Sequence, residues 1–358
     1  MIKIKHKLRL KIRPFTIITF LFDLAFIAIL VIIYTPIINF KNLWVTTAMT
    51  TMNHQYLAYT LYSEEDVNKI MDSNYIEESK EAMNLDDIII GDTKEKKHYK
   101  DEYERAIYTR DKDNDVYKII RINEKTFKGY LTVVYDPKDV TLAVPKKLGK
   151  AGTSVNNLVL ENDGLVGING GGFEDLDGWG NGSKPYGAII KDGKLLWDYK
   201  DSGGLIGFTK THKLWLTNKE PEEAIKKGMN DAVEFGPYLI INGKKANIHG
   251  DGGWGIAPRT VIAQRKDGIV LFLVIEGRLP GYSVGADLND TIELLSKYGA
   301  YNAANLDGGA SSTMSVNGKL YNKPSAGGEY GGRTVSNAWI VTNKAHKKVP
   351  KKETKKIK

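Results

Sequence analysis

The run Asn305 to Met314, "NLDGGASSTM", places the carboxylate of Asp307, the glycines Gly308 and Gly309, and the hydroxyls of Ser311, Ser312 and Thr313 in ten residues. It follows a helical pattern and a short apolar strand, so it reads either as a tight turn or as a cradle for an anion. Two other clusters share its character. Asn169, Gly170, Gly171, Gly172 and Phe173 end an apolar strand and lead into the acidic stretch "EDLDGWG". Glycines there let backbone N–H groups approach an anion closely, although a bulge or turn uses the same residues. Glu276-Gly-Arg278 ends the apolar run "GIVLFLVI", with Tyr282 and Ser283 on the loop beyond. A carboxylate at that place can do proton work, and a guanidinium can hold a phosphate or carboxylate. The plain alternative is an ion pair closing a strand end.

Arg259 and Thr260 open another apolar strand in "APRTVIA", and Arg333 opens the last one, "RTVSNAWIV". Together these clusters supply two carboxylates, Glu276 and Asp307, three guanidinium groups and two glycine-rich nests. That inventory suits an anionic, sugar-like ligand. His249, in "NIHGDGGWG", is a candidate acid or base or an ordinary loop residue. The chain has no cysteine, so a thiolate metal site and a Cys nucleophile are excluded, and the expected domain holds only His249 and His212, which argues against a His-rich zinc site. Any metal would be an oxygen-ligated Mg²⁺ or Ca²⁺, with Asp307 a candidate ligand. A G-x-S-x-G elbow, a P-loop and an H-E-x-x-H motif are all missing.

These clusters need elements to carry them. From about residue 113 the pattern is β, with "VYKIIRI", "FKGYLTVVYD" and "DVTLAV" as early strands. Asp192-Gly193, Asn242-Gly243, Asp267-Gly268 and Asn317-Gly318 each lie between β-forming residues and predict two-residue hairpins. Helices are expected over 153–162, 221–228 and 287–299, the last with Leu288, Ile292 and Leu295 on one face and Gly299 as its stop. The expected fold class is mixed α/β, close to α+β. It comprises one domain over 113–343 with a mostly antiparallel or mixed sheet and a few packing helices.

Phe15 to Phe40 is an apolar run long enough for a bilayer's hydrocarbon core, broken only by Asp23. Basic residues 1–14 before it predict a cytoplasmic amino terminus, a single-pass anchor over 15–40, and an extracytoplasmic remainder at the cell membrane. Residues 41–112 read as a helical stalk or linker, in which Ser63-Glu-Glu-Asp66 resembles a capping box. Whether that stalk packs on the domain or pairs with another copy is open at this level. Residues 1–14 carry six Lys or Arg and the Lys-rich tail 344–358 carries a net +7. With the whole chain at +8, residues 15–343 are left at −5. An acidic body argues against nucleic acid as partner. The tail is expected to be disordered and weakly attracted to anionic polymer or lipid.

At its chemistry-bearing residues the chain resembles the phosphodiester glycosidase family. The segments that carry the resemblance are "INGGGF", "EFGPYLIINGK", "APRTVI", "IEGRLPGYSVGADL", "YNAANLDGGASSTMSVNGKL" and "GGRTVSNAWIV", in the family's order over about 165–341. The resemblance implies hydrolysis of a sugar-1-phosphodiester at the glycosidic carbon, with an anionic cell-surface glycopolymer as substrate. It covers Asn169, Gly170, Gly171, Phe173, Gly236, Pro237, Arg259, Thr260, Glu276, Arg278, Tyr282, Ser283, Asp307, Gly308, Gly309, Ser311, Ser312 and Arg333. Three positions depart from the family's pattern: Ala263 and Ala310 stand where glycine is usual, and Glu276 where aspartate is common.

The leading expectation is that arginines and amide nests hold the phosphodiester while Asp307 and Glu276 act at the anomeric carbon. A non-catalytic polysaccharide-binding or assembly module of the same fold is the alternative. A serine hydrolase using Ser311 or Ser312 with His249 is a third arrangement.

Overall fold

The computed structural model describes residues 13–343 except 36–38, 52–53, 92–97, 113, 176–179, 201–202 and 328–331. The Lys-rich tail, the first twelve residues and part of the 91–105 connector lie outside the described residues. Helix α1, Pro14–Tyr34, contains no buried residue and has a mean hydropathy of 2.8 over its most apolar window. It is long and apolar enough to cross a membrane.

Helices α2 (Phe40–Met49), α3 (Tyr56–Leu61) and α4 (Glu64–Ser73) follow. Ser63 caps α4 by accepting a hydrogen bond from the Asp66 N–H, as the capping pattern predicts. The three helices bury Val45, Ala48, Ala58, Tyr62, Val67 and Ile70 against one another. They also pack on the domain. Thr46 hydrogen-bonds to Asp251, and the Ile256 N–H donates to the Thr47 hydroxyl over 3.3 Å. Ile76–Glu77 pair with Asn247–Ile248, and helix α5 (Glu102–Tyr108) sends Ile107 and Tyr108 into a domain core. Of the two arrangements open for the stalk, packing on the domain is the one adopted.

Every strand pair among the described residues is antiparallel, in sheets of five, seven and five strands plus two small ribbons. The seven-stranded sheet is central. Its strand Val270–Ile275 lies between Arg259–Arg265 and Lys128–Val134 and is wholly buried. Alternation sends Val270, Phe272 and Val274 into one core and Leu271, Leu273 and Ile275 into the other, so both faces must be apolar. The continuous apolar run therefore marks a covered strand of an antiparallel sheet. Each such Leu, Ile or Phe contributes roughly 1.5–3 kcal/mol of burial free energy.

A hairpin forms at each of the four places, but only three have the predicted two-residue turn; Asp267-Gly268 lies in a longer connection between Gln264 and Val270. Asp192-Gly193, Asn242-Gly243 and Asn317-Gly318 place both residues at positive φ, whereas Asp267-Gly268 does so only at Gly268. Helices α6 (Val155–Glu161), α7 (Pro221–Lys226) and α8 (Leu288–Lys297) match the three expected ones. Asp287 caps α8, which buries Leu288, Ile292 and Leu295, and Gly299 follows at φ +76°. This helix precedes the strand Ala300–Leu306 and so sets the position of Asp307.

Candidate active site

Three strand ends meet at one cavity of about 410 Å³. Asp307, Gly308, Gly309, Ala310 and Ser311 form its floor, and Arg259, Arg278 and Arg333 supply its cations. Phe173, Tyr186, Phe235 and Trp254 give it aromatic walls, and Asp175 adds a second carboxylate.

Asn169, almost wholly buried, holds the loops together. Its Oδ1 accepts from the Thr260 hydroxyl at 2.8 Å and the Thr313 N–H at 3.1 Å, while its Nδ2 donates to the Asp307 carbonyl at 2.6 Å. The Asp307 N–H donates to the Gly170 carbonyl, and the Thr260 hydroxyl lies 3.2 Å from that of Ser312. Gly236 and Pro237 brace the same strand end, because both of their carbonyls accept hydrogen bonds from Asn305. Asn169, Gly170, Gly171, Thr260, Ser312, Gly236 and Pro237 thus position the cavity and do not line it.

The glycine nests differ from expectation. The Gly170 N–H donates to the Asn337 carbonyl and the Gly171 N–H to the Asn337 side chain, so neither is free for an anion. A Cβ at Gly170 would lie 2.0 Å from the Asn337 oxygen, which makes the first glycine a packing requirement. In the second run the Gly309 N–H is taken by the Pro258 carbonyl. Gly309 adopts φ +58° beneath the Arg278 guanidinium, where a side chain would be strained.

The electrostatics centre on Asp307. Burial pushes its carboxyl up to about 6, against the opposing pull of the Ser311 hydroxyl, Arg333 and the Gly308 N–H. Arg333 lies 2.5 Å from Asp175 and 4.8 Å from the Phe173 ring centroid. Arg259 donates to the carbonyls of Ala286, Trp254 and Gly255, and burial lowers its pKa to about 10, which leaves it charged at neutral pH. Arg278 sits at φ +57° with its side chain exposed. Among the described residues no hydrogen bond or ion pair engages its guanidinium, so it is the cation available to a ligand.

Four predicted site residues lie elsewhere. Glu276 is 1% exposed and does not line the cavity; one of its carboxylate oxygens accepts the Lys323 N–H at 2.6 Å. Tyr282 belongs with it: burial, a hydrogen bond to Glu276 and that group's charge push the phenol up to about 12. The Ser283 hydroxyl donates to the Glu276 carbonyl and accepts from the Lys128 N–H. His249 stacks on Tyr75 at 4.2 Å and faces Glu77 and Asn247, outside the cavity. That separation removes the Ser–His hydrolase arrangement, since Ser311 hydrogen-bonds to Asp307.

The residues that sequence reasoning missed are Asp175, Tyr186, Phe235, Trp254 and, from the helical segment, Thr50, Thr51 and His54. Asp175 had a signal, as an acid three residues past the glycine run. The two alanine departures are benign. Ala263 is a fully buried core residue, and Ala310 lies in a 3-10 turn without positive φ.

A divalent cation finds little to hold it among the described residues. No three carboxylates or imidazoles converge, and the cavity's two acids already face Arg333 and Ser311. That donor set does not fit Mg²⁺ or Ca²⁺.

The family model described as phosphodiester glycosidase matches residues 162–342, half of the chain. Over 165 residues the sequence is 32% identical to the SPbeta prophage-derived uncharacterized protein YomE of Bacillus subtilis (strain 168), covering 43% of this chain and 25% of that protein. The chain thus spans about a quarter of that relative's length. In three dimensions it is similar to the catalytic domain of zebrafish N-acetylglucosamine-1-phosphodiester alpha-N-acetylglucosaminidase, auto-inhibited by its pro-peptide. That match has a TM-score of 0.53 at 21% identity, over 65% of this chain and 85% of that one. Residues 162–342 carry Asp307 and most of the cavity's lining, and the chain belongs to the phosphodiester glycosidase family.

Proposed function

We propose that this chain is a membrane-anchored, extracytoplasmic hydrolase that cleaves sugar-1-phosphodiesters of cell-surface glycans, an N-acetylglucosamine-1-phosphodiester being the reference substrate. Helix α1 is the anchor, and the basic residues before it keep the amino terminus in the cytoplasm. The observation that carries the reading is the pairing of a half-buried carboxyl, pushed up to about 6, with an arginine that none of the described residues engages, in one aromatic-walled cavity.

In this mechanism Arg278 holds the phosphodiester oxygens and neutralises the charge that gathers as the phosphate departs. Asp307 takes a proton from water as the water oxygen bonds to the anomeric carbon. The bond between that carbon and the phosphate oxygen breaks, giving free sugar and a phosphomonoester. Arg333 and Ser311 keep Asp307 oriented, and the aromatic walls exclude bulk water from the reacting atoms. Asp175, paired with Arg333, replaces Glu276 as the second acid of the site. The test is product analysis after the full chain meets an N-acetylglucosamine-1-phosphodiester. Stoichiometric sugar and phosphomonoester are expected. A protein that binds the compound and releases neither product would be a binding module instead.

A further inference from the structure

The cavity is not built by the glycosidase domain alone. Thr50, Thr51 and His54, at the tip of the antiparallel pair α2 and α3, line it beside Arg278 and Asp307. The pair is fixed in place. The Trp44 indole N–H donates to the Leu57 carbonyl at 2.9 Å, and Thr46 and Thr47 bond to the 251–256 loop. Gly255 lies so close that an added Cβ would come within 2.6 Å of the Thr47 backbone. The same loop supplies the Trp254 and Gly255 carbonyls that hold Arg259.

The other end of the pair meets the apolar helix. The Tyr62 hydroxyl donates to the Ile33 carbonyl at 2.8 Å, and the rings of Tyr34 and Tyr62 meet edge to face at 6.4 Å. Ten-residue α2 spans roughly 15 Å at a rise of 1.5 Å per residue, and that length separates the end of α1 from the cavity. Along α3, Tyr56 is 59% and Tyr59 45% exposed, at the i, i+3 spacing that puts them on neighbouring positions of one helix face. Tyr62, just past the helix, is buried against Tyr34 and Ile33. Two exposed tyrosines, the first of them beside the cavity residue His54, therefore lie between the polar cavity and the end of α1.

We propose that the substrate of this site is lipid-linked: its sugar and phosphate occupy the cavity while its apolar aglycone follows Tyr56 and Tyr59 toward the membrane. The proposal rests on the glycosidase reading above and narrows its substrate class. A polar head in a cationic cavity and an apolar chain on an aromatic face are the two halves of one amphiphile, and tyrosine suits such an interface. Hydrolysis then breaks the bond from the anomeric carbon to the phosphate oxygen and joins that carbon to water's oxygen. Sugar leaves to solvent, and the lipid phosphomonoester stays in the bilayer.

The test uses the full chain in phosphatidylcholine nanodiscs, with N-acetylglucosamine 1-(methyl phosphate) and 1-(hexadecyl phosphate) as probes and free N-acetylglucosamine as readout. The hexadecyl diester is expected to show kcat/KM at least about tenfold above the methyl diester, the equivalent of about 1.4 kcal/mol. Tyr56→Ser with Tyr59→Ser should bring that ratio down by more than half, and Tyr56→Phe with Tyr59→Phe should restore it. Equal rates for the two probes, or a ratio untouched by the serine pair, would overturn the lipid-linked substrate and leave the glycosidase reading intact. No turnover of either probe would sink both.

Discussion

Asp307 and Glu276 each end an apolar strand of the central sheet, and each is the first acid after its strand, yet only Asp307 enters the cavity. The reason is register. Arg259 lies opposite Ile275, and Thr260 lies opposite both Val274 and Leu306. Carried one residue further, Asp307 falls in the row of Arg259 and Glu276 in the row of Pro258. Successive rows alternate faces, so a one-residue offset sends the two carboxylates to opposite sides of the sheet. Two acids that look equivalent along the chain therefore have different work. One is held near pKa 6 over a cavity, and the other closes a loop through Lys323, Tyr282 and Ser283.

Substituting each acid separates them most sharply. Asp307→Asn should lower kcat by about 10³-fold, the usual scale for removing a positioned base. Glu276→Gln should leave kcat within about threefold once the fold is intact, because the group acts only through its loop; its cost should fall on stability, at about 1–3 kcal/mol for a disturbed buried polar group. Wild-type kcat should rise as pH passes 6, since the base must be deprotonated, and Asp307→Asn should lose that limb. A Glu276→Gln variant as inactive as Asp307→Asn, with an unchanged melting temperature, would contradict the division.

Arg278 extends the comparison, since it follows Glu276 by two residues but belongs to the Asp307 side. Its left-handed backbone turns the chain so that the guanidinium lies over Gly309. Arg278→Ala should lower kcat/KM by about 10²-fold, the scale of one lost donor to a developing anion. Arg278→Lys should recover only part of that, because an ammonium cannot grip two phosphate oxygens in a planar fork. Arg259→Lys offers a contrast: its guanidinium is committed to three carbonyls, so that variant should fail first in stability.

Much of this was legible in the sequence because it depends on local rules. The hairpins needed Asn-Gly or Asp-Gly, α8 needed its cap and apolar stripe, and the buried strand needed an unbroken apolar run. The ordered glycine, arginine and aspartate segments located the cavity's floor. What stayed hidden depends on relations between distant segments. The offset of Glu276 against Asp307 is set by strand pairing. The occupied amides of Gly170 and Gly171 depend on Asn337, more than 160 residues away. Nothing near Thr50, Thr51 or His54 marks them as cavity residues; they arrive there because α2 docks on the 251–256 loop.

A smaller effect tests the burial of Asp307 without any substrate. Its carboxyl moves from 3.8 to about 6 on folding, so the native state favours the protonated form. Ionising it costs stability progressively as pH rises through that window, and the cost is complete above 6. Asp307→Asn removes the cost. The variant should match the wild type near pH 3 and exceed it at pH 7.5 by about 1–3 kcal/mol, since each tenfold change in acidity on folding is worth about 1.4 kcal/mol. Thermal melts at the two pH values decide it. A variant less stable at pH 7.5 would mean that Ser311 and Arg333 stabilise the carboxylate more than burial penalises it.

His249 carries the smallest expected effect. It shares a glycine-rich loop with Trp254 and lies ten residues before Arg259, so its neighbours in the chain are cavity residues while its imidazole is not. The ring is spent on the Tyr75 face and on Asn247, at the ribbon that ties Ile76–Glu77 to the domain. His249→Ala should keep kcat/KM within about twofold and lower stability by about 0.5–1.5 kcal/mol through the lost ring contact. A fluorophosphonate probe should leave the wild-type protein unlabelled, since Ser311 hydrogen-bonds to Asp307 and His249 lies outside the cavity. A hundredfold loss of activity in His249→Ala would require the imidazole to reach the cavity. That would mean the 247–256 segment rearranges away from Asn74 and Thr47, which now hold it, and melting in the same variant would register the loss of those contacts.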